Sequence, residues 1–310
     1  MSEIVISEFM DEAAISAVLG GRDVLYDPTL VDHPAVLQEA LGDCRALIVR
    51  NRTQVRGPLL NAAPNLKVVG RLGVGLDNID TEDCDARGIL VRPATGANDL
   101  AVAEYVITAA SMLLRRAWFA SARVAAGAWP RMELIGHELA GKRLGLVGYG
   151  AIARLTAARA TALGMSVCAF DPLLPADHAA WKSTERATLT DLLASSDVVS
   201  LHAPLTTQTR RMIDSNALQL MKPTSILINA ARGGIVDEAA LAAALKSGEL
   251  AGAALDVFET EPLTAAAGAI FQNVPNLILT PHIAGVTEES NVRVSAVTAR
   301  AVLEALVKLT

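Results

Sequence analysis

Arg143-Leu144-Gly145-Leu146-Val147-Gly148-Tyr149-Gly150-Ala151-Ile152-Ala153 is the stretch that decides the fold. An apolar run meets closely spaced glycines and passes straight into helix-forming residues, so it reads as strand, tight turn and helix. In that setting Gly148 permits the turn, Gly150 lets the backbone approach a pyrophosphate, and the small Ala153 allows strand and helix to pack closely. The N–H groups at the helix start, around Ala151 and Ile152, have no acceptor within the helix and suit phosphate oxygens. Asp171 ends the next apolar run about 20 residues on, where a carboxylate accepts hydrogen bonds from ribose hydroxyls and repels a 2′-phosphate. The residues after it, Pro172-Leu173-Leu174, supply no arginine. The expectation is a dinucleotide site that takes NAD rather than NADP.

Outward from this turn the chain keeps one rhythm. On the C-terminal side, apolar runs at Ser166–Phe170, Val198–Leu201, Ile226–Asn229, Ala253–Val257 and Leu277–Leu279 alternate with helical stretches such as Leu189–Ala194 and Glu238–Lys246. On the N-terminal side, runs at Ile4–Ile6, Val24–Tyr26, Ala46–Val49, Leu66–Val69 and Ile89–Arg92 alternate with helices at Asp11–Leu19 and Pro34–Leu41. Alternation of this kind predicts parallel sheets covered by helices on both faces. Pro93–Gly96 interrupts the pattern and is followed by a helical stretch expected over Asp99–Ala126 and a loop at Gly127–Arg131. A final helix over Glu288–Leu309 follows a break at Gly285. The reading is an α/β protein with two doubly wound parallel-sheet domains, 98–285 inserted into a domain made of 1–97 and 286–310.

Composition agrees with that architecture. A chain of 310 residues exceeds one ordinary core, and 52% hydrophobic with 19% charged residues excludes disorder. Only 4% is aromatic, so aliphatic side chains must fill the interior. A net charge of -6 with scattered Lys and Arg offers no footprint for nucleic acid. No apolar run approaches the roughly 18 residues of a membrane span, and the start carries glutamates where a signal peptide would be basic, so a cytoplasmic protein is expected. Cys44, Cys84 and Cys168 lack metal spacing and are expected to be reduced thiols; no metal site is expected.

Polar residues gather after three of the predicted strands, in Asn229-Ala230-Ala231-Arg232-Gly233-Gly234, Asp256-Val257-Phe258-Glu259-Thr260-Glu261-Pro262 and Thr280-Pro281-His282-Ile283-Ala284-Gly285. The carboxyl ends of parallel strands are where such folds hold ligands. With the glycine turn, with Arg71-Leu72-Gly73-Val74-Gly75-Leu76-Asp77-Asn78 and with Leu201-His202-Ala203-Pro204-Leu205-Thr206, these strings resemble the D-isomer-specific 2-hydroxyacid dehydrogenases over essentially the whole chain. The resemblance implies a Rossmann NAD domain inserted in a flavodoxin-like substrate domain. It implies hydride transfer between NAD and the C2 carbon of a small anionic 2-hydroxy or 2-keto acid, in a homodimer. It also implies a catalytic set of Arg232, Glu261 and His282, and each suits its task. Arginine offers a forked, permanently charged donor for a carboxylate and a carbonyl. Histidine exchanges a proton near neutrality, and a carboxylate beside it stabilises the imidazolium.

By the same resemblance, Gly148, Gly150, Ala151, Ile152, Asp171, His202, Pro204, Ala230 and Asp256 would line the cofactor, with Asp256 on the nicotinamide amide. The Gly73, Val74, Gly75 backbone would hold the substrate carboxylate together with Arg232 and His282. Ala151 departs from the pattern, since many members carry arginine there. Arg50, Asn51, Arg52 and Thr53 fall in the segment that recognises the substrate side chain, and two arginines suggest a second anion. Ile6–Ala13, Ile48–Thr53 and Ile283–Thr287 are similar to members acting on a sulfonated hydroxy acid, while a phosphorylated acid or glyoxylate-type acid stays open. An NAD-sensing binding protein without turnover, or formate oxidation on the same fold, are the other readings.

Overall fold

The computed structural model describes residues 2–309. They form two compact units, 2–98 with 286–309, and Asp99–Gly285.

In the first unit β1 (Ile4–Ile6), β2 (Val24–Tyr26), β3 (Ala46–Val49), β4 (Val68–Arg71) and β5 (Leu90–Pro93) pair in parallel in the order β2-β1-β3-β4-β5, the flavodoxin-like arrangement. Successive residues of a strand point to opposite faces. Ile4, Ile6, Ala46 and Ile48 therefore enter one core while Val5, Leu47 and Val49 enter another, which is why the strands read as unbroken apolar runs. The helix Glu288–Lys308 starts in a capping box: the Thr287 hydroxyl accepts from the Ser290 N–H and the Ser290 hydroxyl accepts from the Thr287 N–H. It buries Val294, Ala299, Val302 and Leu306 in the core that holds Ile4 and Ile48.

In the second unit β6 (Arg143–Val147), β7 (Ser166–Phe170), β8 (Glu185–Arg186), β9 (Val198–Leu201), β10 (Ile226–Asn229), β11 (Gly252–Leu255) and β12 (Leu277–Leu279) are all parallel. Their order is β8-β7-β6-β9-β10-β11-β12, so the direction of winding reverses between β6 and β9. Such a reversal opens a crevice at the carboxyl ends of the strands. Register makes those ends coincide: Val147 pairs with Leu201, Leu201 with Asn229, Asn229 with Leu255 and Leu255 with Leu279. The segments that begin at Gly148, His202, Ala230, Asp256 and Thr280 thus leave one edge of the sheet side by side.

Several local expectations change, among them the strands expected at Ala253–Val257 and Ile89–Arg92, which are Gly252–Leu255 and Leu90–Pro93. The helix expected over Asp99–Ala126 ends at Arg115, because Arg116 takes the left-handed conformation (φ 51°) and a 3-10 turn and a short helix, Ser121–Ala125, follow. The strand expected at Leu66–Val69 is β4, shifted to Val68–Arg71. The short helices Thr81–Ala86 and Ser215–Leu220, each capped by an aspartate side chain, carried too few turns to show a period. Among the described residues no helix is long and apolar enough to cross a membrane.

If the last helix completes the core of the first unit, Val302→Ala should lower unfolding free energy by about 2 kcal/mol in urea titrations. A loss of only a few tenths would show that this helix is peripheral to that core.

Candidate active site

The first feature at the shared sheet edge is the glycine turn. Gly148 has φ 91° and lies so close to the next segment that a Cβ would stand 2.6 Å from the His202 carbonyl oxygen. No side chain caps the helix Ala151–Ala162, whose N-cap is Gly150, and a Cβ on Gly150 would meet open space. Its first-turn N–H groups are thus left for an outside acceptor, which fits a pyrophosphate. Asp171 follows β7 and braces the turn: its Oδ2 accepts from the Tyr149 N–H at 2.9 Å, and its Oδ1 accepts from the N–H groups of Leu173 and Leu174. A carboxylate has about four acceptor positions, so one remains for a ribose hydroxyl. His202 Nε2 lies 3.0 Å from Ser200 Oγ, and burial pushes its imidazole down to about 4, which keeps it neutral near pH 7. Ala230 is half-buried after β10, and Pro204 is exposed after β9.

The next three segments bring together Arg232, Glu261 and His282. Buried Asn229 folds the turn after β10: its Oδ1 accepts from the Ala231 N–H and its Nδ2 donates to the Arg232 carbonyl. Gly233 then passes so near the β11 loop that a Cβ there would stand 1.8 Å from the Phe258 carbonyl oxygen, an approach open only to glycine. Glu261, before a cis proline, turns back with Oε1 accepting from the Phe258 N–H at 3.0 Å and Oε2 2.7 Å from His282 Nδ1. A carboxylate is acceptor-only, so Nδ1 carries the hydrogen in this contact and Nε2 takes no part in it. Burial pushes the Glu261 carboxyl up. The hydrogen bonds from His282 and Phe258, with the charges of His282 and Arg232, more than offset this and hold it below its usual range. The side chains of His282 and Glu261 are 38% and 30% exposed, which leaves the pair open to a small molecule.

Asp256 is fully buried, and its carboxylate is largely committed within the protein. Oδ1 accepts from the Thr280 hydroxyl at 2.6 Å and from the Ile283 N–H at 2.8 Å, and Oδ2 accepts from the Ala284 N–H at 2.8 Å. One acceptor position remains for an amide.

The other named residues lie in the first unit. The loop after β3 is organised by buried Glu8, whose Oε1 accepts from the N–H groups of Arg50 and Thr53 and whose Oε2 accepts from that of Arg52. The Arg50 guanidinium is half-buried, donates to Asn291 Oδ1 at 2.7 Å and sits 5.9 Å over the Phe9 ring. Arg52 is exposed and paired with Asp32, Asn51 is exposed, and Thr53 is buried with its hydroxyl 3.0 Å from that of Ser7. In the loop after β4 the Gly73 carbonyl accepts from the Ala94 N–H, Val74 is 37% exposed, and the Arg71 guanidinium lies against Gly73. Glu8 and Asn291 escaped sequence reasoning. The signal for Glu8 was a glutamate two residues past an apolar strand, where a buried carboxylate needs donors.

Residues 107–284 match the model of the D-isomer specific 2-hydroxyacid dehydrogenase NAD binding domain. The whole chain is also 56% identical to the (S)-sulfolactate dehydrogenase of Chromohalobacter salexigens over 307 residues, 99% of each protein. The chain belongs to the D-isomer specific 2-hydroxyacid dehydrogenases. It is similar, too, to the D-3-phosphoglycerate dehydrogenase of Mycobacterium leprae, at 39% identity over 98% of this chain, but spans only 56% of that protein. Among solved structures, D-lactate dehydrogenase from Aquifex aeolicus complexed with NAD and lactic acid superimposes with a TM-score of 0.86 at 29% identity, covering 98% of this chain and 95% of that one. The chain is accordingly an NAD-dependent D-2-hydroxyacid dehydrogenase, as its motifs implied.

Because Gly148 combines a left-handed φ with contact to backbone, Gly148→Ala should raise the NADH dissociation constant by tenfold or more, read by fluorescence titration. Unchanged NADH affinity would remove this turn from the cofactor site.

Proposed function

We propose that this dehydrogenase interconverts (S)-sulfolactate and sulfopyruvate, with His282 as proton donor and acceptor, Glu261 as its partner and Arg232 as the receptor of the substrate's carboxylate and C2 oxygen. The observation that carries the catalytic part is the 2.7 Å contact between Glu261 Oε2 and His282 Nδ1 with the charge of Arg232 acting on the same carboxylate. NAD supplies the two-electron chemistry when bound, and Gly148, Gly150, Ala151, Ile152, Asp171, His202, Pro204, Ala230 and Asp256 would hold it. In reduction, His282 Nε2 gives its proton to the carbonyl oxygen, and Glu261 stabilises the charge on the ring before that transfer. In oxidation the same nitrogen accepts the hydroxyl proton.

The substrate assignment draws on the relative that is alike from end to end. The phosphoglycerate dehydrogenases of similar sequence are less alike, those from Mycobacterium leprae, Bacillus subtilis and Archaeoglobus fulgidus standing at 39%, 40% and 40% identity. A sulfonate also gives the loop after β3 a purpose: Arg50 is held by Asn291 and Phe9, with Asn51, Arg52 and Thr53 completing the segment, while Gly73, Val74 and Gly75 would take the carboxylate. The stereochemical names agree. The sulfonate-bearing carbon outranks the carboxyl group, so the arrangement called R in lactate is called S in sulfolactate. We further propose a homodimer, since Trp129, Met132 and Ile135 are 80%, 76% and 63% exposed on one segment. A cytoplasmic setting suits three buried, unpaired cysteines.

Steady-state reduction of sulfopyruvate, phosphohydroxypyruvate and glyoxylate by NADH tests the substrate: sulfopyruvate should lead in kcat/KM by about tenfold or more. A lead for phosphohydroxypyruvate would replace the assignment. His282→Ala should lower kcat about a thousandfold while NADH binding is kept, and near-normal turnover would remove His282 as the acid.

A further inference from the structure

The helix Asp99–Arg115 carries the half-buried Tyr105. Tyr105 Oη lies 2.6 Å from Thr280 Oγ1, which itself donates to Asp256 Oδ1 at 2.6 Å. A hydroxyl has a single hydrogen, and Thr280 spends it on the acceptor-only carboxylate. Tyr105 is therefore the donor in its own contact, and the hydrogen bonds run one way: Tyr105 to Thr280 to Asp256. Burial pushes the Tyr105 phenol up to about 12, so that donor persists across the working pH range.

Asp256 in turn grips three consecutive residues. Its carbonyl oxygen accepts from the His282 N–H at 2.8 Å, and its carboxylate accepts from the N–H groups of Ile283 and Ala284. His282 needs that grip, since its backbone sits at φ 58°, a conformation costly for a non-glycine residue. From this backbone setting the imidazole reaches Glu261.

We propose that Tyr105 and Thr280 are positioning residues for the reaction: through Asp256 they fix the strained turn that aims His282 at Glu261 and the substrate. The proposal rests on His282 being the proton-transfer group. Neither hydroxyl touches the reacting atoms; each acts through the next group in line. The Asp256 carboxyl, raised by burial beyond what its hydrogen bonds and the charge of His282 offset, depends on these donors to remain a strong acceptor.

A double-mutant cycle on the full chain, assayed with NADH and sulfopyruvate and repeated with glyoxylate, tests this. Thr280→Val keeps the shape and loses the hydroxyl, and should lower kcat about tenfold with the keto-acid KM and NADH dissociation constant within about twofold. Thr280→Ser should restore most of that loss. Tyr105→Phe should lower kcat by a smaller factor, and adding it to Thr280→Val should cost nothing more, because the serial contact is already broken. Equal damage from valine and serine, losses that multiply in the double variant, or an effect carried by NADH affinity would each overturn the proposal. Should Thr280→Val fail to fold, Tyr105→Phe alone decides by its split between kcat and KM. His282→Ala run alongside separates the two levels: an active His282→Ala removes the underlying reading, whereas an inactive one beside unimpaired Thr280→Val and Tyr105→Phe removes only this inference.

Discussion

Parallel register is the constraint on which the second unit depends. Val147, Leu201, Asn229, Leu255 and Leu279 stand level across five neighbouring strands, so the chain leaves the sheet at one edge each time. Chemistry-bearing residues far apart in sequence need no long excursions to meet. A slip of one residue in any of these pairings would exchange the faces of the strand and carry its polar residue away from the edge. The apolar cores on both faces are what forbid that slip.

Around that edge the protein uses carboxylates for contrasting tasks. Asp171 and Asp256 are spent mainly on backbone N–H groups and serve as structural anchors for a turn and a loop. Glu261 accepts one backbone hydrogen bond and keeps its other oxygen for an imidazole. The difference shows in their acidity. Burial dominates at Asp256 and raises it, while at Glu261 the hydrogen bonds from His282 and Phe258, with the charges of His282 and Arg232, prevail over burial and lower it. Glu8 repeats the anchoring role in the first unit, where three N–H groups converge on it.

How much of this could be read from the sequence follows from the range of the interactions. The strand, turn and helix around Gly148 are encoded within about a dozen residues, and parallel sheets covered by helices followed from repetition of that unit, while the strand order did not. The meeting of Arg232, Glu261 and His282 came from resemblance, because no local rule relates segments on different strands. The early end of the helix at Arg115 was hidden, since the apolar spacing runs on while the backbone breaks at Arg116. Tertiary partners were equally hidden. Nothing near Arg52 in sequence announces Asp32, and nothing near Tyr105 announces Thr280.

The 2.7 Å contact between Glu261 Oε2 and His282 Nδ1 requires a proton on Nδ1. Heteronuclear NMR of the imidazole nitrogens, with His282 assigned by its loss in His282→Ala, reads this directly. A hydrogen-bonded Nδ1–H resonance is expected in the native enzyme, and it should move or vanish in Glu261→Gln. An imidazole protonated on Nε2 alone, with the same spectrum in both proteins, would contradict it.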